Sequence, residues 1–169
     1  MLRLIFFGAV LILNLFSTGI VHAQQEATEN TSENNTFGDW KISCPEPDPC
    51  RMAQSIVTAE NKTVILQMRV FKGKEPTALF SFPLGILLNT GWQIKVDNGK
   101  SQLLPFEICK LDGCHSGIKI PTRLLNSFKR GNILRVKFFD AEQNAIEPEI
   151  SLKGFTKAWG ELKRSESVV

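Results

Sequence analysis

The sequence predicts a mainly β chain, an antiparallel β-sandwich or partly closed barrel with one or two short helices. Three observations carry this reading. About ten short runs rich in β-formers are separated by turn residues. Large side chains alternate with polar ones at a period of two, most clearly Trp92, Ile94 and Val96 against Gln93, Lys95 and Asp97. No strand–helix–strand alternation recurs, so a parallel sheet is not expected.

The first strand is expected across Phe37–Cys44, where Trp40, Ile42 and Cys44 alternate. Three prolines between Cys44 and Cys50 remove backbone donors and fix φ, which makes that stretch a loop. Met52–Thr58 and Thr63–Phe71 form a hairpin around the polar Ala59-Glu60-Asn61-Lys62. Thr77–Asn89 is the most apolar stretch after the N-terminus, and Pro83 and Gly85 split it into two short pieces. Its run Leu79–Leu88 reads as core rather than as an interaction surface, because contiguous apolar residues usually cross an interior. Trp40, Trp92 and Trp159 read as core or edge-packing residues rather than as ligand platforms.

Trp92–Asp97 is a half-buried strand, and Asp97-Asn98-Gly99 supplies residues that tolerate the positive φ of a tight turn. Leu103–Cys109 returns as a strand, and Cys109–Cys114 is a short loop with Asp-Gly at its tip. Pro121–Phe128 is a short helix, with proline in its first turn and Gly131 beyond its end. Leu134–Phe139 and Ile146–Leu152 are strands, and Phe155–Leu162 is a closing helical turn or two.

Residues 1–23 are expected to be a signal peptide. Arg3 precedes an apolar run from Leu4 to Phe16, and Val21-His22-Ala23 offers a cleavage site before Gln24. That run of 13 residues is shorter than the roughly 20 that span a bilayer as a helix. Residues 24–36 contain no large apolar side chain and are expected to be a flexible leader. A single β-rich domain over 37–162 and a disordered tail over 163–169 complete the expected organisation. Removing the signal takes one cation from a formal charge of +3, leaving a mildly basic chain of mixed sign. No nucleic-acid partner and no transmembrane segment are therefore expected in the mature protein.

In an oxidising compartment the four cysteines, Cys44, Cys50, Cys109 and Cys114, are expected to be disulfide-bonded. Three pairings are possible. The local one is favoured, because both intervening segments contain residues that reverse the chain. Zinc is disfavoured, since the spacings match no common knuckle. Neither pair has the Cys-x-x-Cys spacing of a redox site.

Catalytic residues are hard to find. His115 is the one histidine after residue 23, and no Gly-x-Ser-x-Gly accompanies it. It reads as a surface residue, although a Ser–His–Asp arrangement is formally open. Glu147 and Glu149 read as a solvated strand face, and Asp97-Asn98-Gly99-Lys100 as a turn rather than a calcium loop. No catalytic residue, metal or cofactor is expected.

Phe37-Gly38-Asp39-Trp40, followed by Cys44, Cys50 and Gln54, resembles the start of the invasion-associated locus B family of exported alphaproteobacterial envelope proteins. The resemblance continues through Pro83-Leu84-Gly85, Gly91, Val96-Asp97, Phe106–Cys109, Gly113-Cys114 and Ser151–Ala158. It implies a small β-rich protein of the periplasm, outer membrane or cell surface, or a secreted one. It also implies a non-enzymatic role in virulence, through binding of a protein or host-surface partner during host-cell (erythrocyte) invasion. The alternative is a periplasmic binding or accessory module serving the bacterial envelope. No oligomeric state is implied.

Overall fold

The computed structural model describes residues 35–60 and 62–165, with side chains to Leu162. These residues belong to a unit spanning Ser32–Val169. The expected signal peptide, nearly all of the expected leader and residues 166–169 of the expected tail lie outside the described residues.

Five strands follow one another as a meander: β1 (Thr36–Phe37), β2 (Trp40–Ser43), β3 (Arg51–Val57), β4 (Val64–Phe71) and β5 (Thr77–Phe82). The chain then enters a second sheet with β6 (Trp92–Val96) and β7 (Gln102–Leu104), and returns to the first with β8 (Ile108–Lys110) and β9 (Gly113–Lys119). Helix α1 (Thr122–Arg130), then β10 (Ile133–Phe139), β11 (Ala145–Ile146), β12 (Glu149–Ser151) and helix α2 (Phe155–Ser165) complete it. The seven-stranded sheet runs β1-β2-β3-β4-β5-β9-β8. The second runs β11-β10-β6-β7, with β12 also on β10. Every pairing is antiparallel. The predicted fold class holds as a sandwich; the sheets do not close into a barrel.

Alternation explains the packing. Met52 and Gln54 of β3, Leu66, Met68 and Val70 of β4, and Ala78, Phe80 and Phe82 of β5 all turn inward, each two residues apart. Trp92, Phe82, Phe106 and Phe138 meet beneath them, with Phe82 edge-on to all three other rings at 5.1–5.2 Å. A second aromatic group, Trp40, Phe128 and Phe155, ties the helices to β2. The three tryptophans are core residues, as expected.

One buried polar side chain stitches the layers together. Gln54 is 8% exposed. Its Nε2 donates to the Ser151 carbonyl at 3.0 Å, and its Oε1 accepts from the Ser151 amide at 2.9 Å. The side-chain amide thus pairs with β12 as a neighbouring strand would, across the gap between sheets. Trp40 Nε1 donates to the same carbonyl at 2.9 Å.

Several details depart from the expectations. Leu103–Cys109 is not one strand but β7 and β8, in different sheets. Pro105 lacks an N–H and ends the pairing, while its carbonyl accepts from Trp92 Nε1 and from the buried Ser116 hydroxyl. Pro148 divides Ile146–Leu152 in the same manner. Strand β9 was not anticipated. The left-handed residue of the β6–β7 turn is Asp97, with φ 45°, rather than Asn98 or Gly99. Its carboxylate accepts from the Asn132 and Ile133 amides, which holds that backbone. The run Leu79–Leu88 is only partly core, because Leu84 and Leu88 are exposed. Helix α2 reaches Ser165, past the expected domain end at Leu162.

Candidate binding surface

The four cysteines form two disulfides, Cys44–Cys50 and Cys109–Cys114. The first closes the proline loop between β2 and β3. The second joins directly opposed residues of the β8–β9 hairpin, whose turn is Leu111-Asp112. Small loops restrict the unfolded chain least, so each bond contributes about 2 kcal/mol on the chain-entropy model. Their effect is local: they fix the geometry of two surface turns.

The β8–β9 hairpin is also seated from below. Cys114 pairs with Phe82 of β5. A Cβ on Gly113, which has φ 137°, would overlap the Phe82 carbonyl. Glycine is therefore the residue that permits this close approach. Above this seat Leu111 is wholly exposed. Leu84, Leu88, Leu103 and Ile108 are also half exposed or more. Leu88 and Leu103 share a shallow depression of about 300 Å³ with Gly91 and Pro105.

His115 belongs to a connected set of polar groups that the sequence did not single out. Its Nδ1 lies 3.0 Å from Ser81 Oγ on β5, and its Nε2 lies 3.3 Å from Asp112 Oδ1. Ser81 faces His115 in register, and Arg69 of β4 donates to Ser81 Oγ at 3.0 Å. Ser81 Oγ thus bridges Arg69 and the His115 ring, and the ring in turn bridges Ser81 and Asp112. The His115 bond holds the Asp112 carboxyl below its ordinary range. The side chain of His115 is 12% exposed.

Serine, histidine and aspartate thus stand in hydrogen-bonded order, yet the setting differs from a hydrolytic site. Ser81 sits within strand β5, and its oxygen is already engaged by Arg69 and His115. The main cavities, of about 1020 and 300 Å³, include none of Arg69, Ser81, Asp112 or His115. A nucleophile also needs aimed donors around a bound substrate. What the arrangement does is tie the turn residue Asp112 to the sheet, beside Leu111. Glu147 and Glu149 pair with Lys137 and Arg135 at 2.7 and 2.8 Å, as a solvated strand face would.

Comparison with known proteins follows the same lines. Residues 40–163 match the family model "Invasion associated locus B (IalB) protein". Invasion protein B homologs from Brucella abortus strain 2308 and from its biovar 1 strain 9-941 are each 26% identical over 134 residues. Those alignments cover 73% of this chain and 75% of each relative. The crystal structure of invasion associated protein b from Bartonella henselae superposes with a TM-score of 0.71 at 22% identity. It covers 78% of this chain and 96% of that one. That structural likeness carries the sandwich fold.

Proposed function

The chain belongs to the invasion associated locus B family, and from that premise we propose that it is a non-enzymatic exported protein that promotes host-cell invasion by docking a protein partner. The observation that carries this reading is the β8–β9 tip. A disulfide, the Gly113–Phe82 contact and the His115–Asp112 bond restrain the hairpin, and Leu111 stands wholly in solvent above it. An exposed leucine on a restrained turn is costly to leave in water and cheap to bury against a partner, since little ordering entropy remains to be lost. Ile108, Leu103 and Leu88 are further exposed apolar side chains. The names of the Brucella and Bartonella relatives support the invasion half of the proposal. The host surface, the erythrocyte included, belongs to the proposal. So does export by removal of residues 1–23.

The test joins location with contact. Fractionation of the source bacterium should find a mature chain beginning at Gln24 at the surface or in the medium. A deletion strain should invade poorly, recover with the native chain, and fail to recover with Leu111→Asp. Retention wholly in the soluble periplasm, or full recovery by Leu111→Asp, would overturn the proposal. Retention would instead favour an accessory module of the envelope.

A further inference from the structure

A second surface lies away from the tip, where the sandwich stays open between the β6–β7 hairpin, the end of β9 and α1. It is a groove of about 1020 Å³. Lys95, Lys100, Lys119, Arg123 and Arg130 line it, against the single acid Asp97. Five cations and one acid give the lining a net charge of +4, more than the formal +3 of the whole chain. The Asp97 carboxylate is engaged by the backbone: both its oxygens accept from the Asn132 amide and one also from that of Ile133. Among the described residues, Lys95, Lys100 and Arg123 have no acidic partner. Lys119 pairs with Glu75, and both side chains are largely exposed.

Two strands bordering the groove are open on one side. Strand β7 ends its sheet and pairs only with β6. Strand β9 loses its β8 partner beyond His115, because the register of that pair stops there. The next amide on that edge, Gly117 N–H, donates to the Glu107 carboxylate at 2.9 Å. That amide is therefore engaged within the chain, which leaves β7 as the strand edge offered to a partner.

We propose that this groove receives an extended acidic segment of a protein partner, whose backbone adds to a strand edge while its carboxylates meet Lys100, Lys119, Arg123 and Arg130. Size and spacing argue against a lone anion. Arg123 and Arg130 lie seven residues apart on α1, about 10 Å along its axis, so a ligand engaging both carries separated charges. A recessed groove does not fit a flat bilayer. Open strand edges offer alternating donors and acceptors at the repeat of a polypeptide, which a polysaccharide does not match. The inference is independent of the invasion reading, and Leu111→Asp leaves it unchanged.

The probe is a fluorescein-labelled dodecapeptide of alternating glutamate and threonine, titrated into the mature chain and followed by polarisation. Saturable binding is expected, weakening in 0.5 M salt. The pair Arg123→Glu and Arg130→Glu, which removes two exposed cations and puts two like charges in their place, should weaken it by about tenfold. Near-ultraviolet circular dichroism of that variant should match the native chain. The same peptide N-methylated at alternate residues keeps its charge but cannot pair as a strand, and should bind far more weakly. Equal binding by the N-methylated peptide would overturn the proposal. So would equal binding by the charge-reversed variant, or tighter binding of dextran sulfate or phosphatidylserine vesicles than of the peptide.

Discussion

Replacing Gln54 with methionine tests the link between the two sheets. The side chain keeps nearly the same length and volume, so little cavity is made. What is lost is the pair of hydrogen bonds to Ser151. The Ser151 carbonyl retains Trp40 Nε1, but its amide loses its partner. A neutral hydrogen bond is worth about 1 kcal/mol net, and an orphaned buried donor costs about 1–3 kcal/mol. The expected destabilisation is therefore about 2–3 kcal/mol. Urea unfolding, read by tryptophan fluorescence, gives the measurement. With a slope of about 2 kcal/mol per molar, the midpoint falls by about 1–1.5 M at unchanged slope. Adding Trp40→Phe strips the carbonyl as well, so the double variant should lose more than the two single losses combined. A midpoint within about 0.2 M of native, well under the loss expected from one orphaned amide, would show that Gln54 is replaceable there. Simple additivity would show that the three groups do not act as one unit.

Other perturbations have equally definite outcomes. Gly154→Ala puts a Cβ against the Phe37 carbonyl at a residue with φ 88°, so the variant should lose more than about 3 kcal/mol in urea unfolding or fail to fold. Cys109→Ser with Cys114→Ser should lower stability by about 2 kcal/mol, while the far-ultraviolet spectrum stays native and protease cleavage at the tip rises. Asp140 accepts from the Asn144 backbone and side-chain amides, which holds its carboxyl below its ordinary range. The contribution of that turn is thus complete above the unfolded aspartate value of about 4 and lost as pH falls through the lower folded value. Amide exchange at Asn144 should quicken between pH 5 and pH 2 relative to the intrinsic rate, and Asp140→Asn should remove that dependence.

The elements readable from sequence were those whose own residues decide their state. β6 alternates cleanly, β3 and β4 flank a polar turn, and α1 lies between Pro121 and Gly131. Strand β9 has two glycines and a histidine among seven residues, a poor β-former by propensity. It is a strand because β5 pairs with it over six residues, and that partnership is set by tertiary structure. The switch of sheets at Pro105 was hidden similarly: proline announced a break, but not that its carbonyl would anchor Trp92 and Ser116. The set Arg69, Ser81, Asp112 and His115 comes from three strands and a turn. Knowing which serine and which aspartate meet the histidine requires the β4-β5-β9 order. The basic groove escaped for the same reason, since its cations are spread from Lys95 to Arg130 and form no run.

The contact between Gly38 and Lys153–Gly154 has a geometric corollary. It clasps the β1–β2 turn to the start of α2, so the described segment opens and closes at one margin of the larger sheet. Leu111 belongs to the opposite margin, six strand intervals away in the order, or about 29 Å at 4.8 Å per interval. Attachment at either end of the described segment would therefore leave the leucine on the far margin, which makes immobilised protein a fair reagent for fishing out what it grips.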